Sequence, residues 1–158
     1  MNPAYDVIHA LAGKTLATAE SCTGGGIGKA LTGIAGASAV YKGGVISYCD
    51  EIKHRRLGVD EKLLETYGAV SAPVAKAMAQ GARAALHTDI AVSTTGLLGP
   101  GGDDFGNSVG TVFVGYADEN TVLSKEFHFS GNREAVRQQA IQEALELVLT
   151  QIKKEPRG

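Results

Sequence analysis

The sequence lacks three features: an excess of one charge, a cysteine framework and a long apolar run. Its formal net charge of −2 provides no broad electropositive surface that would hold nucleic acid through its phosphates. Cys22 and Cys49 are the only cysteines, which is too few for a disulfide framework, and their spacing is not that of metal ligands. No apolar run approaches the roughly 18 residues of a membrane span, and residues 1–6 lack the basic flank and apolar core of a signal peptide. We therefore expect a cytoplasmic protein that binds no nucleic acid, membrane or metal.

The composition is that of an ordinary globular domain. The chain has 158 residues, of which 44% are hydrophobic and 20% are charged, and this predicts a single domain over residues 1–158. Glycine is abundant, with 21 residues, and several of them lie in two runs, at 24–26 and at 99–102. Because glycine lets the backbone approach a ligand closely, these runs are candidate site segments.

Hydrophobic spacing predicts an alternation of helices and strands. Helical spacing predicts helices at residues 3–12, 27–34, 50–57, 60–67, 72–86 and 133–152. Alternating or β-branched segments predict strands at residues 15–20, 40–48, 89–95, 109–116 and 121–129, with the last two joined as a hairpin by residues 118–120. A long turn at 96–108 and a frayed tail at 153–158 complete the prediction. This order predicts an α/β fold, a three-layer α/β/α sandwich with a mixed central sheet.

The first glycine run lies between a predicted strand and a predicted helix, a context that invites comparison with phosphate-binding motifs. A P-loop would need glycine where Thr23 stands and serine or threonine where Ala30 stands, and a dinucleotide fingerprint from Gly24 would need glycine at Lys29. Both motifs are excluded. Unpaired N–H groups at the helix start would suit an anion or a developing oxyanion. The alternative is that the glycines permit tight packing while Ser21 or Thr23 caps the helix.

Three side chains of this turn are conceivable nucleophiles. Ser21 and Thr23 would need a neighbouring base, whereas Cys22 would need a lowered pKa, which a helix N-terminus can supply. The four histidines fall in no triad or metal-ligand spacing. A desolvated lysine or a tyrosine is therefore the alternative base.

Six segments, in order over nearly the whole chain, resemble the CinA C-terminal domain family. They are residues 19–25 (Ala-Glu-Ser-Cys-Thr-Gly-Gly), 43–48 (Gly-Gly-Val-Ile-Ser-Tyr), 57–59 (Leu-Gly-Val), 67–71 (Tyr-Gly-Ala-Val-Ser), 95–96 with 99–102 (Thr-Gly and Gly-Pro-Gly-Gly) and 109–112 (Val-Gly-Thr-Val). No single segment is decisive, but six in sequence are very specific.

The resemblance implies a cofactor-independent amidohydrolase of pyridine nucleotide salvage that converts nicotinamide mononucleotide to nicotinic acid mononucleotide and ammonia. It implies that Ser21 is the nucleophile and that Tyr48 and Lys53 assist it. The alternative places Lys53 in a solvated basic run, residues 53–56, and makes Tyr48 a packing residue at the end of the sheet. The family's enzymes are often dimeric, so a homo-oligomer is expected.

The resemblance also suggests which residues contact the substrate. Backbone groups of Cys22, Thr23, Gly24 and Gly25 are expected to bind the oxyanion, with Gly99 and Gly101 contributed by the second glycine run. Arg133 matches a family arginine near the start of the last helix, where its guanidinium would suit a phosphate or carboxylate; the alternative is an ordinary surface arginine.

Two departures from the family pattern bear on the substrate. Residues 107–108 are Asn-Ser where the family commonly has Lys-Pro, and Asp50 stands where the family commonly has asparagine. Loss of the lysine would weaken contact with a phosphorylated substrate. The rival hypotheses are a non-catalytic nucleotide-binding module and an interaction protein linked to competence or DNA damage.

Overall fold

The computed structural model describes residues 2–154 and has helices and strands in alternation. The helices are α1 (Pro3–Ala10), α2 (Gly26–Thr32), α3 (Asp50–Leu57), α4 (Glu61–Tyr67), α5 (Ala72–Leu86) and α6 (Arg133–Lys154). The strands are β1 (Leu16–Glu20), β2 (Tyr41–Ile46), β3 (Ile90–Gly96), β4 (Thr111–Ala117) and β5 (Val122–His128), and a short 3₁₀ helix spans Ala37–Ala39. The predicted elements are therefore all present, with shifted bounds, and the 3₁₀ helix is an addition.

The five strands form one mixed sheet in the order β2-β1-β3-β4-β5. Strand β1 pairs in parallel with β2 on one side and with β3 on the other, while β3, β4 and β5 are antiparallel neighbours. Strands β4 and β5 form the predicted hairpin. Because β1, β2 and β3 are parallel, their carboxyl ends meet at one edge of the sheet, where loops lead towards helices.

Two apolar layers cover the sheet and confirm the three-layer sandwich. On one face, buried residues of α1, α2 and α6 pack on the sheet around Leu16, Ile90 and Val112. On the other face, buried residues of α3, α4 and α5 pack around Ala17 and Ala91. Successive residues of a strand point to opposite faces, so Leu16 and Ala17 serve different layers.

Strand β1 alternates polar and apolar residues in sequence and is buried along its whole length, because Thr18 and Glu20 find hydrogen-bond partners inside the protein. Two predicted features are wrong in detail. Strand β2 ends at Ile46, so Tyr48 lies beyond the strand. Helix α6 continues through Lys154, which places the first two residues of the predicted tail in a helix, because both are lysines, which favour helices, and no proline or glycine follows residue 152 before position 156. Residues 155–158 lie outside the described part. No helix within residues 2–154 has the length and hydropathy to cross a membrane.

Candidate active site

A cavity of about 290 Å³ opens at the carboxyl ends of β1, β2 and β3. Ser21 and Cys22, which follow β1, and Lys53 of α3 form part of its wall. The wall also includes the last two residues of β3, Thr95 and Gly96, and residues 97–99 and Gly101 beyond it. A larger cavity of about 500 Å³ lies against the outer side of α3 and α4, but neither Ser21 nor Lys53 lines it. The smaller cavity is therefore the candidate active site.

The closest pairing of reactive groups in this cavity is between Ser21 and Lys53. Lys53 Nζ lies 3.1 Å from Ser21 Oγ and donates to the backbone oxygen of Ser47 at 2.8 Å. The Lys53 side chain is only 1% exposed, whereas the three residues that follow it face solvent. The interpretation of Lys53 as part of a solvated basic run is therefore wrong: its position on α3 turns it inward, beneath the end of β2.

Burial sets the proton affinity of Lys53. Desolvation disfavours the ammonium form and lowers the pKa of Lys53 below its ordinary value, although the negative charge of Asp50, and to a smaller extent the thiols of Cys49 and Cys22, act in the opposite direction. A lysine with a lowered pKa is neutral in a larger fraction of molecules near pH 7, and a neutral amine can accept a proton. Lys53 therefore has the environment of a general base.

The structure distinguishes the three candidate nucleophiles of the turn. Burial raises the pKa of the Cys22 thiol to about 11, so Cys22 remains protonated at neutral pH. The hydroxyl of Thr23 is buried and is bound to Glu20 at 2.7 Å and to Thr94 at 2.8 Å. Only Ser21 combines a place on the cavity wall with contact to an amine.

The start of α2 is capped by a residue that the sequence analysis did not assign a role. The Glu20 carboxylate accepts from the backbone N–H groups of Ile27 at 2.8 Å and Gly28 at 3.1 Å, and from the hydroxyl of Thr23. Neither Ser21 nor Thr23 caps the helix, so that interpretation is wrong. The prediction that N–H groups at the start of this helix are free for an anion is also wrong at Ile27 and Gly28, because a carboxylate of the chain itself already occupies them.

The backbone of the glycine turn, residues 20–26, directs Ser21 towards the cavity. Gly24 and Gly25 have φ values of +60° and +99°, which glycine adopts without steric cost, and Gly25 is the N-cap of α2. The Ser21 N–H donates to Thr94 O at 3.1 Å. Among residues 2–154, the Cys22 N–H has no acceptor in another residue, so it is a donor next to the Ser21 hydroxyl.

The predicted substrate-contacting residues separate into two groups. Of the residues predicted from the turn, Cys22 lines the cavity, but Thr23, Gly24 and Gly25 are not part of the described wall, because the chain turns away there into α2. Gly99 and Gly101, of the second glycine run, do line the cavity.

Tyr48 and Arg133 form one rim of the cavity. Arg133 donates to the hydroxyl of Tyr48 at 3.2 Å and to the backbone oxygen of Gly99. Tyr48 is 62% exposed, so it is not a packing residue at the sheet end, and its hydroxyl contacts Arg133 rather than Ser21 or Lys53. The structure thus brings Ser21, Lys53, Tyr48 and Arg133 to one cavity, with the tyrosine at its edge.

The side chain of Asn107, which stands where the resemblance leads one to expect lysine, is bound to its own loop and to the backbone before α5. Its side-chain amide donates to Asp103 Oδ2 at 2.7 Å and to Val70 O at 3.0 Å. Asn107 is not among the described residues that line the cavity. No group of three or more potential metal ligands occurs within the described part of the chain.

Comparison with known proteins shows the same family over nearly the whole chain. A family model described as CinA C-terminal domain matches residues 4–152. A CinA-like protein of Thermosynechococcus vestitus is 49% identical over 142 residues, 88% of this chain and 34% of that protein, and a putative competence-damage inducible protein of Caldicellulosiruptor saccharolyticus is 46% identical over 136 residues, 86% and 33% respectively. The chain thus spans about a third of the length of these curated relatives. A crystal structure of a CinA superfamily protein from Klebsiella pneumoniae superposes with a TM-score of 0.93 at 32% identity over 97% of both chains. A crystal structure of the competence/damage inducible protein CihA from Agrobacterium tumefaciens superposes with a TM-score of 0.88 at 35% identity over 98% of both chains.

Proposed function

Because the chain belongs to the CinA C-terminal domain family, we propose that it is an amidohydrolase that converts nicotinamide mononucleotide to nicotinic acid mononucleotide and ammonia. The observation that carries the proposal is the buried contact between Lys53 Nζ and Ser21 Oγ at 3.1 Å. A hydroxyl beside a desolvated amine is an arrangement suited to nucleophilic acyl transfer. The identity of the substrate comes from the family resemblance.

The reaction follows from this pair in two stages. Neutral Lys53 takes the proton of Ser21 as Oγ forms a bond to the carboxamide carbon, which gives a tetrahedral oxyanion. The resulting ammonium of Lys53 protonates the amide nitrogen, the C–N bond breaks and ammonia leaves. Water then attacks the acyl ester with Lys53 again as base, which releases the acid and restores the hydroxyl of Ser21.

The oxyanion requires hydrogen-bond donors that are already in place. We assign one of these donations to the N–H of Cys22, because it follows the nucleophile directly and has no other acceptor among the described residues. The backbone at Gly99 and Gly101 also lines the cavity and is the source we assign to a second donor. Removal of one such donor from an acyl-transfer site typically costs on the order of 3 kcal/mol of transition-state stabilisation.

Arg133 is the residue we assign to the substrate phosphate. Its guanidinium has five N–H donors, two of which are directed to Tyr48 and Gly99. No carboxylate among the described residues forms an ion pair with it. Tyr48 then holds the guanidinium at the cavity rim and contacts the nucleotide beside it.

The test uses the purified protein, nicotinamide mononucleotide and an assay for released ammonia. Ser21→Ala should reduce turnover to background. Lys53→Met preserves side-chain volume without the amine and should lower kcat by about 10²- to 10⁴-fold, the usual contribution of a general base. Lys42→Met is the matched control, because Lys42 is exposed and its amine donates a hydrogen bond to Ser38 O, outside the cavity wall.

Three results would contradict parts of the proposal. Retained activity in Ser21→Ala would show that Ser21 is not the nucleophile, and an unchanged rate in Lys53→Met would show that Lys53 is not the general base. Saturable binding of the nucleotide without ammonia release would instead favour the rival, a non-catalytic nucleotide-binding module. The rival is tested because Asn107 offers no positive charge to a phosphate, and its amide is bound to Val70 O and Asp103 instead.

A further inference from the structure

The side chain of Ser47 is a buried polar group without a partner. Ser47 is 0% exposed, and its Oγ is the one buried side-chain nitrogen or oxygen within residues 2–154 that makes no hydrogen bond. A buried hydroxyl without a partner destabilises a folded protein, and native structures contain few of them. Its position therefore calls for a reason other than stability.

The backbone of Ser47 is fixed beside the base. Its N–H donates to Glu20 O at 2.8 Å, and its carbonyl oxygen accepts from Lys53 Nζ at 2.8 Å. The hydroxyl belongs to the same residue, so rotation about the Cα–Cβ bond between staggered positions moves Oγ without moving the backbone. Ser47 Oγ, which has no hydrogen-bond partner, therefore belongs to a buried residue whose backbone contacts the Lys53 amine.

Lys53 needs one more acceptor than the resting site provides. A lysine ammonium has three N–H donors, and its described acceptors are Ser21 Oγ and Ser47 O. The requirement is greatest when Lys53 is charged, because hydrogen bonds to an ionised donor are roughly twice as strong as those between neutral groups. Acylation of Ser21 also turns its Oγ into an ester oxygen, which is a poorer acceptor.

We propose that the hydroxyl of Ser47 accepts a hydrogen bond from the Lys53 ammonium that forms when Ser21 loses its proton. Ser47 is then a positioning residue, which acts on the reaction through Lys53. The contact strengthens along the reaction, so it stabilises the transition state more than the resting enzyme. This inference rests on the proposed function only in taking Lys53 as the group that gains the proton.

The proposal predicts a change in the proton affinity of Lys53. The charged or titratable groups that act on Lys53 are Asp50 and Cys49 near the start of α3, and Cys22 from the glycine turn. None of them changes in Ser47→Ala, which removes one acceptor of the ammonium and keeps the backbone carbonyl. The pKa of Lys53 should therefore fall.

The experiment compares Ser47→Ala with Ser93→Ala. Ser93 is equally buried, but its hydroxyl donates to Ala75 O at 2.6 Å, so it is a serine with a partner and makes no hydrogen bond to Lys53. Lysine labelled with ¹³C at the ε position reports the titration of Lys53 by NMR, and the resonance is identified by its absence in Lys53→Met. Urea unfolding and the pH dependence of kcat/KM complete the comparison.

In Ser47→Ala we expect the Lys53 titration, and the acidic limb of the rate profile, to move to lower pH by about one unit, which corresponds to a tenfold loss of proton affinity. At the alkaline plateau kcat/KM should fall roughly three- to tenfold, since proton transfer is only partial in the transition state. Stability to urea should be unchanged or increased. Ser93→Ala should lose stability and keep the Lys53 titration.

An unchanged Lys53 titration in Ser47→Ala would overturn the inference, and so would a loss of stability with no change in the rate profile. Ser47→Cys provides a second variant if the alanine protein does not fold, because sulfur is a similar-sized but weak acceptor, and it should move the titration in the same direction. The NMR titration needs no substrate. Absence of ammonia release by the unmodified protein would therefore refute the proposed function while leaving the role of Ser47 to be decided by the titration.

Discussion

Replacement of Glu20 by glutamine changes one atom of the carboxylate that holds the start of α2. Oε1 of Glu20 accepts from Thr23 Oγ1 and Ile27 N, while Oε2 accepts from Gly28 N. A glutamine keeps the shape of the side chain but has one acceptor oxygen and one NH₂ group. In either orientation of the amide, the NH₂ group faces a backbone N–H, that of Ile27 or that of Gly28.

The cost of Glu20→Gln can be worked from these contacts. Glu20 is 2% exposed, so a donor that loses its acceptor here is not rescued by solvent, and each such loss costs about 1–3 kcal/mol. Loss of the negative charge at a helix N-terminus adds about 0.3–1 kcal/mol. For one lost acceptor we expect the free energy of unfolding to fall by about 1–4 kcal/mol. Because Ser21 is the next residue, kcat should fall as well.

Urea unfolding followed by far-UV circular dichroism measures this change, and circular dichroism is suitable because the chain has no tryptophan. Glu65→Gln is the control, since Glu65 is exposed and its substitution should change stability by less than about 0.5 kcal/mol. If Glu20→Gln unfolds within that same margin of the unmodified protein, the carboxylate does not hold the turn and the reasoning is refuted.

Three further predictions concern other parts of the structure. Asp50→Asn removes a negative charge that favours the Lys53 ammonium, so the pKa of Lys53 should fall further and the acidic limb of the rate profile should move to lower pH; a shift to higher pH would contradict this. Iodoacetamide should modify only the exposed Cys49 in the native protein and both cysteines after unfolding, because Cys22 is buried and its thiol has a pKa of about 11. The intact mass gives the number of adducts, and two adducts on the native protein would contradict the prediction. Gly81→Ala should lower stability by about 1–3 kcal/mol although alanine favours helices, because its Cβ would lie 1.8 Å from the last backbone oxygen of α3; an increase in melting temperature would contradict it.

The sequence predicted the elements and the layers well because periodicity reports which face of an element is apolar. It did not predict the burial of β1. Thr18 and Glu20 alternate with alanines, a pattern that half-exposed strands share, yet all are buried. Their partners are Tyr41, more than twenty residues away, and the backbone of α2. A hydrophobic pattern contains no information about such partners, so it does not predict which polar residues are buried.

The candidate site was predicted in part. The family resemblance pointed to Ser21 and Lys53, and the structure places them in contact. The residues alone did not distinguish Lys53 from the basic side chains after it, because the direction of a side chain from a short helix depends on how that helix packs. One feature of the sequence could have predicted the capping role of Glu20. An acidic residue at the end of a strand that leads into a glycine turn lies close to the N–H groups of the next helix, which attract a negative charge.

Strand β2 lies at the edge of the sheet and has β1 as its single neighbour. Ser21 follows β1, whereas the carbonyl that holds Lys53 belongs to Ser47, just after β2. The reacting pair thus depends on the pairing of β1 with β2, the outermost strand pair on that side of the sheet; this pairing is the seam. Local opening of that seam separates nucleophile from base while the remaining four strands and their helices stay folded. Turnover therefore reports local opening at this edge of the sheet. It should be lost at a lower urea concentration than the helical circular dichroism signal.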